Sequence, residues 1–208
     1  MLSLALVQVF PLIAIAATNS SKFACNQRSK RERFADSCEY NEKGIALEEQ
    51  GNAREALTLY KMAIAAYPSY SVNYCNYGNA LSDLKRYAEA ITQYRKAVSI
   101  QPDFAAAYNN MADAMMHQKD YLGAELACKS AIRVDPGYVP AMTNLAEVYI
   151  NTNKPHDAIS VLNKARGLTT TAAMKKIIAD DLDIAMKMLN PTLTKVSSVA
   201  DYGDASKD

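Results

Sequence analysis

The chain of 208 residues is poor in the groups that carry chemistry. It has two histidines, His117 and His156, and four cysteines, Cys25, Cys38, Cys75 and Cys128, none of them in a C-x-x-C pair. Ligand spacing for zinc is therefore missing, and no metal is expected. There is no glycine-rich phosphate loop and no nucleophile with a paired base, so the chain does not read as an enzyme and calls for no cofactor. Charge is nearly balanced, at 23 basic against 22 acidic residues. The first 34 residues carry five basic side chains and one acidic, which leaves 18 basic and 21 acidic in the rest. A mildly acidic body without a basic stripe excludes nucleic acid as a partner.

A long apolar run is also lacking. Met1 to Ala17 is apolar except for Ser3 and Gln8 and carries no charge. It falls short of the roughly twenty residues of a spanning helix, and Pro11 interrupts it. Lys22, Arg28, Lys30, Arg31 and Arg33 follow in a basic linker over 18–36. Positive charge tends to stay on the cytoplasmic side, which favours a retained membrane anchor with the body of the chain facing the cytosol. The alternative is a signal peptide cleaved at Ala14-Ile15-Ala16 or Ala16-Ala17, with export or secretion.

What the chain does have is a period. Tyr40, Tyr74, Tyr108 and Met142 fall in one register, and Gly44, Gly78, Ala112 and Ala146 in another. Ala56, Ala90, Ala124 and Ala158 make a third, and Ala63, Ala97, Ala131 and Ala165 a fourth, all stepping by 34 without insertion. A fixed period of this length marks a stacked array of helical hairpins. Within copy two, Val72 to Leu84 and Ala88 to Ile100 both place apolar residues at helical spacing, with polar Lys85-Arg86 between them. Pro68, Pro102 and Pro136 end the second helix of the first three copies, because proline cannot continue a helix. Small residues of the first helix are expected to face the alanines of the second at a close approach. Larger ones, including Tyr60, Tyr94, Cys128 and Leu162, fill the space beside them.

These offsets resemble the tetratricopeptide repeat, in four copies over 37–70, 71–104, 105–138 and 139–170. The resemblance implies an all-α fold, a right-handed α-solenoid that binds polypeptides rather than reacting with them. Lys43 and Thr170 depart from the pattern, as terminal copies can. Residues 171–190 read as a capping helix. Thr169 or Thr170 caps its start, Ile177, Ile178, Leu182, Ala185 and Leu189 form its apolar stripe, and Asp180, Asp181 and Asp183 lie opposite. The tail, 191–208, reads as disordered.

In this family the first helices line a concave groove. The inward positions bring Asn76, Asn110 and Asn144 into one column 34 apart, with Asn79, Asn109, Asp83, Asp113 and Glu147 nearby. An amide both donates and accepts, so a row of amides can hold an extended backbone whatever its side chains. The row and the phrases Tyr77-Gly78-Asn79-Ala80-Leu81 and Ala106-Ala107-Tyr108-Asn109-Asn110 resemble the repeats that precede the catalytic domain of O-linked N-acetylglucosamine transferases. Copy one has Glu42 in that column. The same asparagines can equally serve structure, by bonding a neighbouring helix. None of the 24 inward positions is Lys or Arg, while Glu42, Glu48, Glu49, Asp83, Asp113 and Glu147 are acidic. The basic clamp with which chaperone-binding (Hsp70/Hsp90-type) members grip a carboxylate is therefore missing. The partner expected is a neutral to basic extended protein segment, and the chain a scaffold or adaptor. A recognition subunit of a glycosyltransferase-type or other enzyme complex, or a structural assembly subunit, remains the alternative.

Overall fold

The computed structural model describes residues 29–190. The apolar segment 1–17, the linker as far as residue 28 with Cys25, and the tail 191–208 lie outside the described residues. Within them the chain forms α1 (Lys30–Glu49), α2 (Ala53–Ala66), α3 (Ser71–Asp83), α4 (Tyr87–Ile100), α5 (Ala105–His117), α6 (Tyr121–Val134), α7 (Val139–Asn151), α8 (Pro155–Leu168) and α9 (Ala172–Leu189). No strand occurs among the described residues. This is an all-α solenoid.

Each hairpin turns in the same way. Gly51, Lys85, Lys119 and Asn153 have φ of 81°, 58°, 62° and 56° and stand 34 residues apart. The amide after each one donates to the carbonyl five residues back: Asn52 to Leu47, Arg86 to Leu81, Asp120 to Met115 and Lys154 to Tyr149, at 2.8–2.9 Å. This arrangement satisfies carbonyls left open at a helix end and needs one left-handed residue. Asp120 adds a side-chain cap, its Oδ1 accepting from the Gly123 amide at 3.0 Å.

Alanine is what lets the layers close. Ala56, Ala63, Ala90, Ala97, Ala124, Ala131, Ala158 and Ala165 are all fully buried along the second helices. Gly44 and Gly78 have a more particular neighbour than those alanines. A Cβ on Gly44 would lie 2.6 Å from the Tyr60 ring, and one on Gly78 would lie 2.5 Å from Tyr94. Where the rings are absent, at Cys128 and Leu162, alanine returns as Ala112 and Ala146. Each glycine thus makes room for a tyrosine on the facing helix.

Consecutive helices pack along the chain, and the first helices also meet from copy to copy: α1 with α3, α3 with α5, α5 with α7. The second helices α2, α4, α6 and α8 do not meet one another. The array is therefore tight along its first helices and splayed along its second, which puts α1, α3, α5 and α7 on the concave side. Helix α9 packs on α8 and α7 and occupies the place of a fifth first helix.

Four sequence expectations need correction here. Residues 30–36, read as linker, are the first turns of α1, held by a capping box in which Ser29 Oγ accepts from the Glu32 amide and Glu32 Oε2 from the Ser29 amide. Helix α9 starts after Thr171, not Thr169 or Thr170. Its buried stripe is Ile178, Leu182 and Ala185, with Ile177 and Leu189 48% and 42% exposed; Ile177 lies a full 100° step from Ile178. Asp181 is half-buried rather than on the far side with exposed Asp180 and Asp183, because it sits three residues after Ile178. No helix of the described residues is long and apolar enough to cross a membrane.

Candidate functional site

The groove is built by polar residues on three successive first helices. Asn76, Asn79 and Asp83 come from α3, Asn109, Asn110 and Asp113 from α5, and Asn144 and Glu147 from α7. Six of these eight residues, Asn79, Asp83, Asn109, Asn110, Asp113 and Asn144, line one cavity of about 250 Å³ together with Ser82 and Tyr94. Asn76 and Glu147 do not line it.

The asparagine column is bonded from copy to copy. Asn76 Nδ2 donates to Asn41 Oδ1 at 3.0 Å, Asn110 Nδ2 to Asn79 Oδ1 at 2.9 Å, and Asn144 Nδ2 to Asn109 Oδ1 at 3.0 Å. Asn109 Nδ2 in turn lies 3.4 Å from Asn110 Oδ1. Each rung therefore links two copies and keeps part of its amide for something else. Asn76 and Asn144 retain their carbonyl oxygens and one N–H each.

A second layer of control comes from the tyrosines. Tyr94 is 1% exposed, yet its hydroxyl donates to Asn79 Oδ1 at 2.9 Å. Asn79 Oδ1 thus accepts from two sides, which fixes the amide with its NH2 group available. Tyr60 donates in the same manner to the carboxylate of Glu48. Burial chiefly pushes both phenols far above their ordinary value, followed at Tyr60 by the hydrogen bond to Glu48 and at Tyr94 by Cys75 and then the groove carboxylates, so they remain donors. Sequence columns did not disclose this role; the glycine opposite each ring, at Gly44 and Gly78, is the signal that could have.

The groove is acidic and its carboxylates sense one another. Burial chiefly raises Glu147, followed by the charges of Asp113 and Asp181. Burial also raises Glu48, opposed by the Tyr60 hydrogen bond and assisted by Asp83. Asp181 is raised by burial and then by Asp180, so the field reaches the capping helix. Among the described residues the lysine and arginine ion pairs fall elsewhere, on Glu39, Glu89, Glu125 and Asp183. Among the described residues Asp113 pairs only with His117, at 3.8 Å, itself stacked on Tyr87 with ring centroids 4.6 Å apart.

Cys75 and Cys128 are buried, and loss of solvent pushes their thiols up to about 11 and about 12, away from the reactive thiolate. Among the described residues no group of three metal-ligating side chains converges.

Models of the tetratricopeptide repeat match residues 42–70, 78–119 and 115–180 of the chain. Curated proteins yielded no significant match. Among solved structures, a crystal structure of MamA is similar over 83% of this chain and 98% of that one, at 22% identity and a TM-score of 0.62. The first repeat domain of Spaghetti (RPAP3), bound to the HSP90 peptide SRMEEVD, is similar over 57% and 94%, at 22% identity and a TM-score of 0.56. The repeat domain of Arabidopsis OM64 is similar over 57% and 98%, at 22% identity and a TM-score of 0.55. At such identities the likeness is one of fold.

Proposed function

Because the chain belongs to the tetratricopeptide repeat family, we propose that it is a non-catalytic scaffold that holds an extended, neutral to basic segment of another protein in its concave groove. One observation carries this reading. The first helices line the groove with asparagine amides and with Asp83, Asp113 and Glu147, none of which pairs with a lysine or arginine among the described residues. An acidic peptide such as SRMEEVD, which the RPAP3 domain binds, would meet no lysine or arginine at the inward positions of this chain. A peptide backbone suits the amides, and cationic side chains suit the carboxylates.

The test is selection of peptides from a random library on the full chain, followed by titration at two salt concentrations. Selected sequences are expected to be rich in Lys and Arg and poor in Asp and Glu, with affinity falling several-fold from 50 to 300 mM salt as screening grows. Selection of acidic, carboxylate-ended peptides would refute the reading.

The same proposal places the scaffold at a membrane through residues 1–17, with the repeats on the cytosolic side. It rests on the basic residues that follow that segment, from Lys22 to Arg33. Resistance to carbonate extraction with protease-accessible repeats is the expected result, and a mature chain starting near Thr18 would establish export instead.

A further inference from the structure

The cavity between α3, α5 and α7 has a donor and acceptor pattern that is more selective than the groove as a whole. Asn79 Oδ1 is saturated by Tyr94 and Asn110, whereas Asn144 Oδ1 and Ser82 Oγ have no partner among the described residues. With the carboxylates of Asp83 and Asp113, four acceptor groups on three helices border one space of about 250 Å³. Donors remain as well, both N–H groups of Asn79, one each on Asn109, Asn110 and Asn144, and the Ser82 hydroxyl, so the two carboxylates are what set the charge the pocket prefers. Two of the eight lining residues are acidic, so this is a mixed amide and carboxylate pocket.

We propose that the pocket takes the guanidinium of an arginine side chain of the bound segment, between Asp83 and Asp113. A guanidinium is planar, always charged, and offers five N–H donors and no acceptor, which matches acceptors spread over several helices. A lysine ammonium is a single point of charge and reaches fewer of them. The N–H groups of Asn79 suit a main-chain carbonyl of the segment that carries the arginine. An anion meets two carboxylates and is repelled. The set is not repeated one copy earlier: Ile45 and Cys75 stand where the pocket has Asn79 and Asn109, and Glu48 is engaged by Tyr60. This assignment rests on the groove being a polypeptide site.

The experiment is a titration of the isotope-labelled full chain with N-acetyl-arginine methylamide, read on the side-chain amide signals of Asn79, Asn110 and Asn144. The lysine and citrulline analogues serve as comparators, since citrulline keeps the shape of arginine and removes its charge. Arginine is expected to give saturable shifts at millimolar concentration, the lysine compound to bind at least several-fold more weakly, and citrulline to give no shift. D83N with D113N should weaken arginine binding tenfold or more while helicity and melting stay as in the parent. Absent shifts, equal shifts with citrulline, or binding that survives the double substitution would overturn the pocket. If selected basic peptides bind the chain without moving these three amides, the pocket falls and the groove reading stands. If the arginine compound binds as described but no extended segment does, the pocket survives and the groove reading falls.

Discussion

Replacing Gly78 by alanine tests the packing logic of the whole array at one atom. On helix propensity alone the change should stabilise α3, because glycine inside a helix is worse than alanine by roughly 0.5–1 kcal/mol. The structure argues the opposite. The added Cβ would stand 2.5 Å from Tyr94 Cε1, 2.8 Å from Cδ1 and 2.9 Å from Cζ. Tyr94 is 1% exposed and its hydroxyl is tethered to Asn79, so the ring has no free direction in which to retreat. Overpacking of this kind costs about 1–3 kcal/mol. Losing the tether adds about 0.5–1.5 kcal/mol. The propensity gain offsets part of this, and the expected net loss is about 1–3 kcal/mol.

Urea unfolding followed by circular dichroism measures that loss. The control is the pair that the fourth copy already uses, Ala146 with Leu162. Tyr94→Leu alone opens space beneath Gly78, and Gly78→Ala alone overfills it, so the two together should be less harmful than their sum by at least about 0.5 kcal/mol, as expected for residues in contact. A neutral or stabilised Gly78→Ala chain, or strictly additive effects, would show that the glycine is not there for the ring.

Other outcomes follow from the same structure. Gly51→Ala meets no atom within 4 Å, so its φ of 81° isolates the backbone effect; urea unfolding should show a loss of about 1 kcal/mol, and no loss would contradict the left-handed turn. Ala90→Phe, at a site with no exposure, should cost about 1–3 kcal/mol by the same assay. Glu147→Gln should raise the melting temperature at pH 7. The folded carboxyl is raised above its ordinary 4.5, so the folded chain holds the proton longer than the unfolded one and stability falls as pH rises through that window; the gain should vanish below about pH 4, and a pH-independent gain would point to another cause.

The repeat was readable because 34-residue columns of small and aromatic residues survive without a gap, and burial of every alanine in the Ala90 and Ala97 columns follows from that register. Positions that break the column rule were harder. The left-handed turn falls on Gly51 and Asn153, which advertise it, but also on Lys85 and Lys119, which carry no such signal. The start of α1 escaped a reading anchored on the repeat, although Ser29 and Glu32 stand three apart as a capping box does. In the groove, the column Asn76, Asn110 and Asn144 was visible, but not its partners. These lie 35, 31 and 35 residues away at Asn41, Asn79 and Asn109, off the 34-residue step, so a column read at that step alone does not reveal them.

The two halves of the groove have different characters. In copies one and two the glycine at Gly44 or Gly78 admits a tyrosine ring, and its hydroxyl engages the groove residue Glu48 or Asn79. In copies three and four Cys128 and Leu162 have no hydroxyl to offer, so the carboxylates of Asp113 and Glu147 receive no such donor. Polar groups already engaged are pre-positioned but weak competitors for a charged ligand. Carboxylates that receive no phenol hydroxyl and no lysine or arginine among the described residues have the larger unmet demand, and burial sharpens it at Glu147. On the proposed function, the first half of the groove would hold a backbone in place and the second half would choose among side chains by their charge. On that proposal, two coupled columns, glycine to alanine and tyrosine to cysteine or leucine, divide a repetitive surface into positioning and selection.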